Sequence, residues 1–492
     1  MSSHRSPSEV RASLKHPIID GDGHWVEYNP VFAERMRKLA GDKAADGFLA
    51  SQRRIPDALK LSIAERKQRG IAMEGYWTRQ TTNTRDRATA MLPRLLYDRL
   101  DELGIDFGIV YPTAGLSVPR VPDDATRRAV CRGFNLVTAE YFDKLGDRLS
   151  PAAVIPMFTP EEAIEELEFC VKQLGTKVAM FGNAARRMAK AKDVDSDLAR
   201  HTVTYERFGI DSDFDYDPVW QKCRELGIAP AFHSSAMGWQ NRASISSYVY
   251  NHVGMLGESH HALAKSLFLG GVTRRFPDLN FGFLEGGVGW ACNLYGDLFG
   301  HWEKRNRTFM DQHLKPTNLD TAEFRRLFEQ YTAGNPRYAG KIDDIIARNL
   351  DALESDTSQA ELTERDLDSD DFARVHIDGP DDIRRLFTQN FYFGCEADDP
   401  MTSIAFDEKM GLQLKPLLGS DIAHFDVIDA TEVLEEAYEL VEDGHITEQN
   451  FREFTFSNVV QLYRSMNPSF FAGTVVEADA EAEFARYQGS GA

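Results

Sequence analysis

Six residues of the kinds that bind metal ions or move protons close short apolar runs in this chain. Asp22 and His24 end IIDGDGH, His233 lies near the end of IAPAFHSS, Glu285 near the end of NFGFLEG, Glu396 ends NFYFGCE and Asp421 ends LLGSD. Imidazole combined with carboxylate suits Zn²⁺, Fe²⁺, Mn²⁺ or Co²⁺. On a strand, residues i and i+2 face the same way, so Asp22 and His24 can grip one ion together. The expected ligand set is Asp22, His24, His233, Glu285 and Asp421, holding one or two divalent transition ions, zinc or iron foremost. Such an ion acidifies water and polarises a carbonyl, which makes hydrolysis the first chemistry to consider.

Around this set stand the residues expected to do the proton work. Asp421, aided by Glu285, is the candidate acceptor of the water's proton, and His424, three residues on, is the candidate to steady developing charge. Glu285 is followed by two glycines, which permit a tight turn and close backbone approach. It therefore has three possible uses: a metal ligand, a bridge between two ions, or a general base. The plain alternative is a carboxylate satisfied by the amides of its own turn. Glu396 is a candidate for holding a ligating histidine in its tautomer, or for an ordinary salt bridge. His252, His260 and His261 are candidates for that outer role or for a second ion. Trp77, Tyr111 and Trp239 are the aromatic residues expected to wall a substrate pocket. Asp20 and Glu27 are not expected to be ligands, and Glu27 reads as a cap for the segment after it.

For distant residues to meet, the elements carrying them must share an end. Eight short runs read as strands: Ile18–His24, Phe107–Thr113, Ala152–Met157, Lys177–Asn183, Ile228–Ser235, Asn280–Gly286, Asn390–Glu396 and Leu417–Asp421. Helical stretches separate them. LLYDRLDELG, PEEAIEELEFCVKQLG and DPVWQKCRELG each end on glycine, and the last two open at a proline. Alternating strands and helices predict an α/β fold, and eight repeats fit a closed (β/α)₈ barrel, whose strands all point their C-termini at one mouth. Two insertions, about residues 30–94 and 306–388, follow the first and sixth strands and are expected as lids or a dimer surface. The barrel should occupy residues 16–475, with a helical extension near its end. Residues 1–15 and 476–492 are expected to be flexible, and the acidic stretch ESDTSQAELTERDLDSDD to be bathed in solvent.

Composition sets limits. The chain has 492 residues, 42% hydrophobic and 27% charged, as in ordinary globular proteins. Its formal charge of −21 argues against nucleic acid as a partner, because phosphate binding needs a basic footprint. No apolar run reaches the roughly 18–20 residues of a membrane span. Five scattered cysteines show no ligand or redox spacing and read as reduced. The expectation is a cytoplasmic enzyme acting on a small molecule, without a membrane or nucleic-acid partner. No Walker loop, dinucleotide fingerprint or nucleophile elbow is present.

Three segments together resemble the amidohydrolase-related family, the group that includes the aminocarboxymuconate-semialdehyde and resorcylate decarboxylases. They are IIDGDGHWVE, the long stretch from NHVGMLGESHHALAKS to NLYGDLFGHWEKRN, and LLGSDIAHFDV, and the likeness spans roughly residues 16–475. It implies a metal-dependent barrel enzyme in which Asp22 and His24 match the first-strand ligand pair, His233 the fifth-strand histidine and Asp421 the eighth-strand aspartate. It also implies a homodimer. Two departures stand out. The decarboxylase branch has a histidine where this chain has Glu285, and the only lysine of the fourth strand, Lys177, lies at the wrong end to bridge two metals. The resemblance therefore implies a metal-dependent hydrolase, or a closely related non-oxidative decarboxylase, acting on an organic acid, ester, amide or ring-cleavage product. A non-haem diiron oxygenase on the same barrel is the rival reading, and a non-catalytic binding protein a third.

Overall fold

Eight parallel strands carry the architecture of the computed structural model, which describes residues 5–73, 75, 81–188, 203–233, 243–315, 318–347, 370–408, 411, 413–422, 424 and 426–489. In chain order the strands are β1 (Ile19–Trp25), β2 (Phe107–Pro112), β3 (Leu149–Ile155), β4 (Val178–Phe181), β5 (Ala185–Met188), β6 (Val203–Glu206), β7 (Pro230–Phe232), β8 (Phe281–Phe283), β9 (Phe391–Glu396) and β10 (Pro416–Gly419). The sheet runs β1-β2-β3-β4-β7-β8-β9-β10, each strand parallel to the next. These are the eight runs read from the sequence, to within a few residues at each end. The antiparallel pair β5–β6, which follows β4, was not among them.

The ring closes between β1 and β10 through two main-chain hydrogen bonds. His24 N donates to Ile422 O at 3.2 Å and Asp421 N to Asp22 O at 3.2 Å. Below them the register of β1 slips between Asp20 and Gly23, and a side chain takes over from the backbone. The buried Asp20 carboxylate accepts from Ser420 N (3.0 Å), Ser420 Oγ (2.6 Å) and Asp22 N (3.1 Å). A Cβ on Gly23 would lie 2.4 Å from Asp20 Oδ2, so the second glycine of D-G-D-G makes room for this staple. The slip also turns Asp20 toward the seam and away from Asp22 and His24.

Helices cover the barrel as the glycine and proline punctuation predicts. Pro93–Leu103, Pro160–Leu174 and Asp217–Leu226 each end at a left-handed glycine, at Gly104, Gly175 and Gly227. Aromatic rings fill the layer on the β7–β9 side. Phe283 packs edge-on to Trp290 (5.6 Å) and Phe391 (5.2 Å) and stacks near Phe232 (5.6 Å). Each such pair contributes about 0.5–1.5 kcal/mol beyond area burial. This packing ties β8 to the end of β7 and to the start of β9.

The ends of the chain differ from expectation. Residues Pro7–Ser13 form a helix that buries Val10, and Arg11 pairs with Asp106 at 2.8 Å. Glu477–Gly489 is a helix as well; it buries Ala480 and Glu483, and Glu483 Oε1 accepts from Ser457 Oγ at 2.6 Å. Apolar anchors and buried ion pairs hold both segments where a polar composition suggested fraying. Lys177 donates to Phe470 O at 2.5 Å, far from the mouth, in the structural role read for it.

The insertion after β1 folds as helices Asn29–Ala40, Asp42–Leu59, Ile63–Arg69 and Thr84–Met91. It is joined to the segment following β7 by the buried Asn251 side chain and by Met73 N, which donates to Ser244 O at 3.0 Å. Asn251 Nδ2 donates to Met73 O (2.7 Å) and Ser244 O (2.8 Å), and its Oδ1 accepts from Ser244 N (2.5 Å). The chain divides into two compact units, residues 1–294 with 386–492, and residues 295–385. The second unit is helical. Its helix Thr321–Thr332 is capped by Asp320 and carries Phe324 stacked on Phe328 at 5.6 Å, and none of its residues is buried. The acidic stretch expected to be solvent-bathed lies almost wholly outside the described residues.

Candidate metal centre

At the C-terminal mouth, side chains from β1 and from the turns after β7, β8 and β10 converge. His24 Nε2 lies 3.0 Å from His233 Nε2, 3.6 Å from Asp22 Oδ1, 3.6 Å from Asp421 Oδ1 and 3.9 Å from Glu285 Oε2. His233 Nε2 lies 3.1 Å from Glu285 Oε2 and 3.6 Å from Asp22 Oδ1. Asp22, His24, His233 and Asp421 are all buried, with His233 wholly enclosed. Two sets of donor atoms, Asp22/His24/His233 and His24/Glu285/Asp421/His424, each fit within 4.8 Å.

The local backbone explains the convergence. After β8 the chain turns sharply: Gly286 N and Gly287 N both donate to Gly394 O of β9, at 3.3 and 3.0 Å. A Cβ on Gly394 would sit 2.9 Å from Leu284 Cα, so only glycine admits this approach. The turn's amides are thus spent on β9, and Glu285, instead of capping its own turn, reaches inward to His233. Glu285 has φ +52° and Asp421 φ +46°, in the left-handed region that side-chain-bearing residues rarely adopt. Strain of this kind costs on the order of 1–3 kcal/mol and persists where surrounding structure imposes it.

The electrostatics of the cluster call for a cation. Burial pushes Asp22 well above the usual carboxylate range, and the nearby Glu285 and Asp421 charges add to the rise. Asp421 is raised well above normal by burial and then by Glu285, Asp426 and Glu396. Burial and the neighbouring His424 and His233 hold His24 well below the usual imidazole value. His233 and Glu285 go the other way. Burial opposes both charges, but His233 is held up by Asp22 and Glu285, and Glu285 is held down by its hydrogen bond to His233. Asp22 Oδ1 is buried with no hydrogen-bond partner. Two imidazole nitrogens 3.0 Å apart can share one proton at most. A divalent ion would accept one lone pair from each of these converging donor atoms at the ~2.0–2.3 Å bond lengths of such ligands, so the donor set fits a bound metal.

Other residues singled out from the sequence take different places. His260, wholly buried, presents Nε2 to Leu284 O at 2.5 Å and Nδ1 to Asn183 Nδ2 at 2.8 Å. With both nitrogens engaged, it braces the backbone behind Glu285 and has none left for a second ion. Glu396 ends β9 exposed; loss of water around the carboxyl and then Asp426 and Glu285 raise it to about 7. It does not orient a ligating histidine, because the outer nitrogens of His24 and His233 have no hydrogen-bond partner. His252 is half-buried, with its imidazole lowered by burial despite Glu285 and Asp426. His261 packs against Trp290. Tyr111 is not a pocket wall: it is fully buried, bonded to Tyr463 at 3.0 Å, with its ring 5.7 Å from that of His233. Trp77 and Trp239 lie outside the described residues. Glu27 caps a different element from the one expected, accepting from Ala114 N (2.7 Å) and Gly115 N (3.3 Å) at the turn after β2.

Thr113 and Asn183 were missed. Thr113 follows β2 and lies 3.1 Å from His424 Nε2; Asn183 follows β4 and meets His260. Both are the polar residue closing an apolar run, the same signal that singled out the candidate ligands.

A profile described as amidohydrolase matches residues 19–332. Comparison with curated proteins gives no match. Among solved structures, an amidohydrolase from Mycobacterium avium subsp. paratuberculosis is 16% identical, covering 92% of this chain and 100% of its own, with a TM-score of 0.50. A dihydroxybenzoic acid decarboxylase from Polaromonas, with bound manganese and 2-nitroresorcinol, is 16% identical over 91% of this chain and 97% of its own (TM-score 0.46). A 2,6-dihydroxybenzoate decarboxylase from Rhizobium is 14% identical over 91% and 99% (TM-score 0.46). At these identities the first likeness shows the fold, a (β/α)₈ barrel. Among the described residues, no helix is long and apolar enough to cross a membrane.

Proposed function

Since the chain belongs to the amidohydrolase family, we propose that it is a metal-dependent hydrolase, or a closely related non-oxidative decarboxylase, acting on a small organic acid, ester, amide or ring-cleavage product. The observation that supports this is the convergence of His24, His233, Asp22, Glu285 and Asp421 donor atoms, with a carboxylate oxygen left buried and unpaired.

In this reading Asp22, His24, His233, Glu285 and Asp421 hold the metal, zinc or iron foremost. A bound divalent ion would supply Lewis acidity, making water a better nucleophile near neutral pH and polarising the substrate carbonyl. Asp421 accepts a proton from the attacking water, and Glu285, in the same cluster of donor atoms, is the second carboxylate able to do so. Both are held by strained backbone that leaves little freedom to reorient, so they are pre-set for transfer. His424 acts through Asp421, which lies 2.5 Å from its Nδ1. Glu285 replaces the histidine of the decarboxylase branch, which favours hydrolysis within the pair of reactions. The free cysteines fit a cytoplasmic setting, and the homodimer is carried by the resemblance.

Metal identification with activity measured under air and under argon tests the reading. The substrates would be a panel of aryl esters, anilides and hydroxybenzoates. The expected result is activity that chelator abolishes, zinc or iron restores, and argon leaves unchanged. Asp421→Asn should then lower turnover at least about 100-fold while the protein stays folded and keeps most of its metal. Two irons per chain with strict dependence on O₂ would replace this reading with an oxygenase.

A further inference from the structure

We propose that the mouth of the barrel holds a second divalent transition-metal ion, bound by His424, Asp421 and Glu285, with Asp421 bridging it to the ion on Asp22, His24 and His233. The inference rests on the reading above and adds His424 to the ligands named there.

The donor atoms form two groups. Asp22, His24 and His233 bring one atom each within 4.8 Å of one another, and so do His24, Glu285, Asp421 and His424. His24 can give its Nε2 to a single ion, and that atom lies 3.0 Å from His233 Nε2, so His24 belongs with the first group. Glu285, Asp421 and His424 remain, three donors from the turns after β8 and β10. A lone ion serving both groups would have to take all six residues. That fills an octahedral shell and leaves no place for water, whereas metal centres that do chemistry keep a position open.

The unmet oxygens point the same way. Both carboxylate oxygens of Asp421 are buried without a hydrogen-bond partner, as is Asp22 Oδ1. An ion bound through one oxygen of Asp421 leaves the other unmet, and a carboxylate that bridges two ions leaves neither. Asp22, Glu285 and Asp421 also bring three negative charges to the cluster, more than one divalent ion cancels and fewer than two supply.

The turn after β10 sets His424 in a ligand's place. His424 N donates to Asp421 O at 3.1 Å, which folds the ring back over the site. Its Nε2 lies 3.1 Å from Thr113 Oγ1, and its ring sits on that of His24 with centroids 4.0 Å apart. Nδ1 is thereby turned to the cluster, 2.5 Å from Asp421 Oδ1, yet the two atoms make no hydrogen bond. They are arranged as two donors that share a third partner. Two ions so bridged would clamp both the attacking and the leaving oxygen of a displacement, which suits the hydrolysis proposed above.

The test is anomalous diffraction at the zinc edge on crystals of the full-length protein grown with excess zinc, together with the zinc content of the same preparation. The wild type should show two peaks roughly 3.5–4 Å apart, one beside His233 and one beside His424, and two zinc ions per chain. His424→Phe, which keeps a ring against His24 and removes the donor, should keep the first peak, lose the second and fall to one zinc per chain. His424→Ala carries the same expectation and serves if the phenylalanine variant does not fold. One peak and one zinc in the wild type overturns the proposal, as do two peaks that both persist in the variants. A wild type with no zinc at the mouth overturns the metal reading itself, so the two failures are told apart before any variant is compared.

Discussion

Replacing Asp22 with asparagine should have opposite effects on stability with and without metal. Asp22 Oδ1 and Asp421 Oδ1 each lie 3.6 Å from His24 Nε2, so the two carboxylates are no more than about 7 Å apart. At an effective dielectric near 20, two full charges at that distance repel by about 2 kcal/mol. Without a cation, Asp22 is raised well above its unfolded value by burial and by Glu285 and Asp421. The folded state therefore keeps its proton longer than the unfolded chain does. The stability that proton contributes is full at low pH and is lost as pH rises through the raised folded value. Stripped of metal, wild type should weaken as pH rises from the ordinary carboxylate range toward the raised folded value, whereas Asp22→Asn, which cannot ionise, should weaken less and be the more stable protein by about 2 kcal/mol at alkaline pH. Zinc reverses the order. At a thousandfold excess over Kd it stabilises wild type by about 4 kcal/mol; if the lost oxygen weakens binding 100-fold, the variant gains only about 1.4 kcal/mol at the same concentration. Urea unfolding of both proteins after chelation and after zinc addition, at pH 6 and pH 9, measures these differences. Equal zinc stabilisation of both proteins, or a chelated variant less stable than wild type at pH 9, would refute the argument that these oxygens converge on one cation.

The Asp20 staple makes a second prediction. Its carboxyl is raised from 3.8 to about 6 by burial, against three hydrogen bonds that lower it, so stability is lost as pH rises between those two values and levels off above the higher one. Asp20→Asn keeps the acceptor for both amides and should match wild type or exceed it in denaturant midpoint at pH 7.5. Asp20→Ala leaves Ser420 N, Ser420 Oγ and Asp22 N unpaired and should cost about 3–5 kcal/mol; equal loss in the two variants would show that the charge itself closes the seam. His260, lowered to about 3 by burial, stays neutral in the folded protein while the unfolded chain takes up a proton near pH 6.5. It should therefore draw stability down as pH falls below that point, and a wild-type stability profile between pH 7 and 5 that matches that of His260→Gln would contradict this.

The strands and the residues that cluster at the mouth were readable in the sequence for the same reason. A parallel barrel buries both faces of each strand, which gives continuous apolar runs, and a charged or polar residue ending such a run has few places to be except the mouth. Asp22, His24, His233, Glu285 and Asp421 all follow that logic. The inner logic of the site was not readable, because it depends on backbone geometry that periodicity does not encode. The slip in β1 sends Asp20 to the seam although strict alternation places it beside Asp22. Tyr111 was expected to wall a pocket, but its hydroxyl pairs with Tyr463 on a helix more than three hundred residues later, an association no local pattern announces. His260 sits on a helix face like any core histidine, and its part behind Glu285 appears only once Asn183 and Leu284 are brought beside it. The terminal helices were missed because a single buried residue such as Val10 or Glu483 is enough to anchor a segment whose composition is otherwise polar.

The positive φ angles of Glu285 and Asp421 bear on how such a site can change. Aspartate and asparagine tolerate that backbone better than most residues, but glutamate has no such ease. A glycine in place of Glu285 would relax the turn but leave His233 without the carboxylate that lies 3.1 Å from its Nε2. A glutamate at so costly a backbone position is what the proposed metal-holding role would account for.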